Sequence, residues 1–149
     1  MAEGTVLEFT ADLKELSRAL NITVQQGARL TTLKVHNGLI EKTPVDTGRA
    51  RGSWGISVDT PGTYELPEGQ FGAEGGAALA RMEQRNLEQV TEENPFREIW
   101  ISNLLPYIER LNMGSSKQAP AQFVELTIAE VAAEIDAQLE AIAEANLRE

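Results

Sequence analysis

The sequence predicts an α+β fold, and three observations carry that prediction. Apolar residues recur at helical spacing over residues 9–39, the period drops to two over residues 50–58, and helical spacing returns from Pro120 onward. Helices bracketing short strands in one chain point to a small antiparallel sheet with helices packed against it.

The first element rests on Phe9, Leu13, Leu16, Leu20, Val24, Ala28, Val35 and Leu39, which follow the three-and-four rhythm of one helix face, with Thr10 as its N-cap. Gly27, among β-branched Ile22, Thr23, Val24, Thr31 and Thr32, weakens the helix locally, so a bend or split is expected there. Leu30, Leu33 and Ile40 lie off the stripe, which predicts burial on two sides for the second half. Pro44 ends the helix, because the residue before a proline is driven out of helical geometry.

From residue 50 to 58, Ala50, Gly52, Trp54, Ile56 and Val58 alternate with Arg51, Ser53, Gly55 and Ser57, the pattern of a strand with one buried face. Residues 59–76 hold five glycines and two prolines in eighteen positions, too many for a regular element, and are read as a long mobile loop. Leu79, Met82, Leu87 and Val90 then outline a short amphipathic helix that ends before Pro95. A second strand over residues 96–103 carries apolar residues on both sides of its alternation, as a strand covered on two faces does, and is expected to pair with the first. Residues 105–111 read as a turn of helix with a proline near its start, closed by Gly114, and SSKQAP is a connector. The last helix follows, with Val124, Ile128, Val131, Ile135, Leu139 and Ile142 on one face and acids on the other.

At 149 residues and 42% apolar composition the chain fits a single domain, residues 1–149, with a real core. No apolar run approaches the ~20 residues of a membrane helix, and no stretch has the make-up of a signal peptide. The absence of cysteine excludes disulfides, a thiol nucleophile and a cysteine metal cage, and fits a reducing compartment. The net charge of −10 is unevenly spread. Residues 1–59 carry seven basic and seven acidic side chains, residues 60–95 two and seven, and residues 96–149 four and nine. Such a field repels nucleic acid, which argues against a sequence-reading DNA binder but not against a structural protein past which DNA must slide.

The stretch TPVDTGRARGSW, residues 43–54, contains the Asp-Thr-Gly triplet that carries the catalytic aspartate of aspartic proteases. Two such aspartates sharing a proton activate water, and a homodimer could supply the pair. The context opposes this: about thirty residues of helical pattern precede it, Pro44 stands two positions before Asp46, and bulky Arg49 follows Gly48. A turn accounts for more of the residues. Asp46 accepts from the Gly48 N–H, Pro44 fixes the approach with Thr47 between, and Gly48 is free to take a positive φ. Arg49, Arg51 and Ser53 would then share the polar side of the strand, with the arginines solvated or facing a carboxylate on another subunit.

Other candidates are weaker. His36 is the only histidine, so no two-histidine zinc site is available, and it is read as a polar helix residue. The glycines at 69, 72, 75 and 76 lack the lysine and hydroxyl of a phosphate loop and are read as flexible. Glu125, Glu130, Glu134, Asp136, Glu140 and Glu144 form an acidic helix face with no metal spacing, solvated or serving as a functional acidic surface. No catalytic residue, metal or cofactor is expected.

Three stretches in order, TPVDTGRARGSW, IWISNLLPYIERLNMG and SSKQAPAQFVELTIAEV, resemble the neck, head-tail connector and tail-completion proteins of tailed double-stranded DNA bacteriophages. That group carries Pro-Val-Asp-Thr-Gly-Arg and is related to the minor tail protein Z of phage lambda. The likeness spans about residues 30–132. Pro44, Asp46, Thr47, Gly48, Arg49 and Trp54 match the first motif; Asn103, Pro106, Tyr107, Leu111 and Gly114 the second; Ser116, Gln118, Ala119 and Pro120 the third. Asn112 departs from the group by standing where glutamate is common, and residues 121–123 replace a small residue or glycine.

The resemblance implies a non-enzymatic virion protein of the neck, made in the host cytoplasm, that joins the DNA-filled head to the tail. It implies a homo-oligomeric ring of six or twelve subunits, neighbouring head-completion and tail proteins as partners, DNA only passing through the channel, and no membrane. A tail terminator capping the tail tube is the nearest alternative. Arg49, Arg51, Trp54, Asn103, Tyr107, Gly114 and Pro120 are the candidate partner contacts.

Overall fold

A computed structural model describes residues 13–44, 48–62, 66, 72–94, 97–114 and 121–147. Within these residues the architecture is mixed: helices together with one two-stranded antiparallel sheet. Helix α1 (Leu13–Leu20) and helix α2 (Val24–Lys42) replace the single long N-terminal helix. The split falls four residues before Gly27 and has a local cause. Asn21 takes a left-handed φ of 57°, which asparagine tolerates better than most side chains. Thr23 then starts α2 with a capping box, its hydroxyl accepting from Gln26 N–H at 3.1 Å while the Gln26 side chain accepts from Thr23 N–H at 2.9 Å. Gly27 sits buried inside α2 and breaks nothing. Thr10, the expected cap, lies outside the described residues. Helix α2 ends at Thr43, extended at ψ 130° immediately before Pro44, as the proline requires.

The expected nine-residue strand is only half strand. Residues Arg49–Gly52 form a helical turn, α3, and β1 is confined to Gly55–Val58. Gly52 N–H donates to Gly48 C=O at 2.9 Å, a helical bond. The period-two reading failed because Ala50 and Gly52 are small enough to be buried in either geometry, and packing against the next helix selected the turn. That next helix, α4 (Ala73–Met82), begins inside the stretch read as loop and runs on into a 3-10 segment, Glu83–Gln89. Residues 63–65 and 67–71 of the same stretch lie outside the described residues.

Strand β2 (Ile99–Ser102) pairs antiparallel with β1, as expected, in the register Ile56 opposite Ile101 and Val58 opposite Ile99. It is half-buried throughout, shorter than residues 96–103, and Phe96 is not among the described residues. Helix α5 (Ile108–Asn112) and helix α6 (Phe123–Leu147) complete the chain, and Gly114 between them has φ 102°. The connector at 115–120 is outside the described residues.

The main core joins Val35, Leu39 and Ile40 of α2, Trp54, Ala77 and Ala80 of α4, and Phe123, Val131 and Ile135 of α6. A smaller cluster of Ala28, Val58 and Val90 lies beneath Ile99. The buried stripe of α6 keeps Val131 and Ile135, as read, with Val124, Ile128 and Leu139 half-buried, and adds Phe123 and Thr127, which are inside; Leu126 is exposed. Thr127 reaches the interior because its hydroxyl donates to Phe123 C=O at 2.7 Å, leaving its methyl to pack. Helix α6 comes close to α2 at Gly38, where a Cβ would stand 2.7 Å from the Thr127 methyl.

Candidate functional site

The three motifs are not separate surfaces but meet in one joint, and asparagines make the connections. From the first motif, Gly48 holds φ 85°, the positive value that its turn calls for. Asp46 and Thr47 lie outside the described residues. Glycines let the backbones at α3 and α4 come together: a Cβ on Gly76 would stand 2.0 Å from Gly48 C=O, and one on Gly52 2.7 Å from Gly76 C=O. Gly76, read as part of a flexible stretch, is thus a packed residue inside a helix. The spacing Gly48-x-x-x-Gly52 was the available signal, but its partner 24 residues later could not be named without the fold.

Neither arginine lies on a strand. Both are half-buried and direct donors into the chain. Arg51 Nε donates to Thr43 C=O at 2.8 Å and its terminal nitrogen to Glu41 C=O at 3.2 Å. It thereby covers the orphan carbonyls at the C-terminus of α2, where the helix dipole also favours a cation. Arg49 Nε donates to Leu66 C=O at 3.0 Å, while Leu66 N–H donates to Ser53 Oγ at 3.2 Å. Leu66 is fixed from both sides and its side chain fills the space over Gly52.

Trp54 is buried, and its indole N–H donates to Thr43 Oγ1 at 2.8 Å; that hydroxyl in turn donates to Leu39 C=O. Its own carbonyl accepts from His36 Nε2 at 2.8 Å. A carbonyl only accepts, so Nε2 bears the proton and Nδ1 is left to accept from the Gln84 amide at 3.3 Å. The Gln84 amide also reaches Asn37 Oδ1 at 2.9 Å. His36 is fully buried, and burial holds its pKa below the ordinary 6.5, against the raising effect of the Trp54 bond and with a smaller push from Arg81. The histidine is a polar helix residue, as read, and is in addition a neutral interior connector. Nothing in its position in the sequence predicted two tertiary partners.

The second motif joins the first through Asn103. Its Nδ2 donates to Ala50 C=O at 2.9 Å and its Oδ1 accepts from Leu105 N–H at 3.2 Å. The second joins the third through Asn112. Its Oδ1 accepts from Val124 N–H at 2.9 Å, its Nδ2 donates to both Glu125 oxygens at 3.2 and 3.0 Å, and its carbonyl accepts from Gln122 N–H. Asn112 thus caps α6 from a distance. A glutamate there could accept but not donate, and would face Glu125. The departure from the resembling group is matched to its local partner. Tyr107 is half-buried at the start of α5, exposed Gly114 approaches Ala121, and Pro120 lies outside the described residues.

Around this joint the second motif keeps apolar side chains outside. Of the four large exposed apolar residues among those described, Leu104 and Met113 belong to the second motif and Leu126 to the third. Pro106, Glu109, Arg110, Met113 and Gly114 line an open depression of about 600 Å³. Along α6, Glu130 and Glu134 pair with Lys42 and Lys34, whereas Asp136, Glu140 and Glu144 are exposed. Among the described residues no group of three His, Asp or Glu side chains is placed to hold a metal ion, and no helix is long and apolar enough to cross a membrane. Compared with family models, curated proteins and solved structures, the chain matches none.

Proposed function

We propose that this chain is a structural subunit of the neck of a tailed bacteriophage, joining the DNA-filled head to the tail by assembling into a ring of six or twelve copies, without catalysis. The observation that supports this best is the division of labour within the three motifs. Arg49, Arg51, Asn103 and Asn112 hold the fold together, while Leu104, Met113 and Leu126 stay exposed, as residues reserved for neighbouring subunits do. In this reading Asp136, Glu140 and Glu144 of α6 face the channel and keep passing DNA from sticking.

Deleting the subunit should leave filled heads and finished tails that do not join, and cryo-electron microscopy of the intact particle should place a ring of it at the neck. Its absence from purified particles would sink the proposal. Tails of unregulated length after deletion would assign it instead to the tail terminator. Outward-facing α6 in a localised ring would remove the channel role alone.

A further inference from the structure

The two edges of the small sheet are treated differently. Asp59 N–H donates to Glu98 C=O at 2.7 Å, and with the register this sets the phase of the ladder: residues 55, 57 and 59 turn their backbone groups toward β2, and Ile56 turns away. That outer edge of β1 is closed, because the 3-10 segment packs on it and Asn86 Nδ2 donates to Ile56 C=O at 2.7 Å. By the same phase Ile99 and Ile101 turn their N–H and C=O groups to the outer edge of β2. Among the described elements only β1 pairs with β2, and no described residue bonds that edge. The usual protections of an edge, a lysine, a proline or a bulge, are missing from Ile-Trp-Ile-Ser. Trp100 stands on the face opposite the two isoleucines, and its indole nitrogen is buried without a hydrogen-bond partner.

We propose that this edge pairs antiparallel with the same edge of a second copy of the chain, about a two-fold axis through Trp100. One register alone lets both Ile99 and Ile101 of each copy bond to both of the other, with Ile99 facing Ile101 and Trp100 facing Trp100. Charge fits that register. Residues 97–103 carry one arginine and one glutamate in a chain of net charge −10, so two copies approach here with little charge repulsion. Arg97 faces Asn103 and Glu98 faces Ser102, whereas a parallel pairing would set Arg97 on Arg97 and Glu98 on Glu98. The pairing stands apart from the neck reading, since a two-fold contact joins copies in pairs while ring closure needs a different, head-to-tail contact.

The register is testable because the chain has no cysteine. Glu98→Cys and Ser102→Cys are made as separate proteins and oxidised alone and mixed. Facing positions in a non-hydrogen-bonded pair are within disulfide reach, while the same position on two copies is not. The expected result is a crosslinked dimer in the mixture and none from either variant alone. Crosslinking of a single variant alone, or none in the mixture, overturns the proposal. In sedimentation velocity the wild type should run as a dimer and Trp100→Lys, which sets two ammonium groups across the axis, as a monomer with unchanged circular dichroism. A monomeric wild type, or a folded Trp100→Lys that stays dimeric, also overturns it.

Discussion

The joint around Trp54 and the stretch from Leu104 to Met113 belong to the same set of motifs, yet they spend their side chains in opposite ways. At the joint, Arg49, Arg51, Trp54 and His36 all turn donors into the chain, and glycine brings two backbones into contact. In the second motif Asn103 and Asn112 bond inward, while Leu104 and Met113 remain exposed. The difference teaches that one set of motifs holds both residues committed to folding and exposed apolar residues, which the proposed function assigns to assembly. Charge alone does not tell them apart: the arginines, which looked like surface groups, are the structural ones.

This contrast predicts a graded series. Gly76→Val should have the largest effect, because its Cβ would stand 2.0 Å from a carbonyl oxygen of the backbone, which has no rotamer to yield. A loss of about 3 kcal/mol is expected from urea unfolding; a loss under about 1 kcal/mol would show the joint to be looser than described. Asn112→Glu should come next, at about 2 kcal/mol, by removing the donor to Glu125 and adding a like charge beside it. Asn112→Ala, which only deletes the cap, should cost about 1 kcal/mol, and a reversed order would argue against the capping role.

The joint should also respond to acid. Burial lowers the pKa of His36, so the unfolded chain takes up this proton more readily than the folded one. Its contribution is complete above the ordinary value of 6.5 and is lost as pH falls from there toward the lowered folded pKa. Urea midpoints should therefore drop below that pH with little change in slope, and replacing His36 by glutamine should flatten this part of the profile. Exposed Asp59 adds a smaller effect of the same sign at lower pH, since its bond to Arg97 lowers its pKa. Smallest for stability are Leu104→Ser and Met113→Ser, expected within about 0.5 kcal/mol of wild type. These two should nonetheless reduce the yield of joined particles; normal yields would break the proposed contrast between folding and assembly residues.

Much of the fold was legible because local chemistry decided it. Pro44 stopped α2, Gly48 took its positive φ, Gly114 closed the turn after α5, and β1 and β2 paired antiparallel. What was misread shares one physical cause. Residues 50–52 suit both strand and helix, Gly76 suits both loop and helix, and the place where the first helix splits depended on whether Gly27 or the Thr23 capping box prevailed. In each case two local structures lie close in energy, and tertiary packing tips the balance. The candidate site was less legible still. Arg49, Arg51, Trp54 and Asn103 were singled out while His36 and Gly76 were not, and the direction in which the arginines point was not legible.

The sequence by itself determined the helical stripes, the turn chemistry and the short β-pattern, because periodicity, glycine and proline act over a few residues. Only the tertiary structure decided that Gly48, Gly52 and Gly76 meet, that Asn103 and Asn112 tie the described parts of the three motifs together, and that one sheet edge is closed while no described residue bonds the other. Those outcomes depend on groups far apart in the chain, where a hydrogen bond or a backbone contact exists only after folding has brought both partners together.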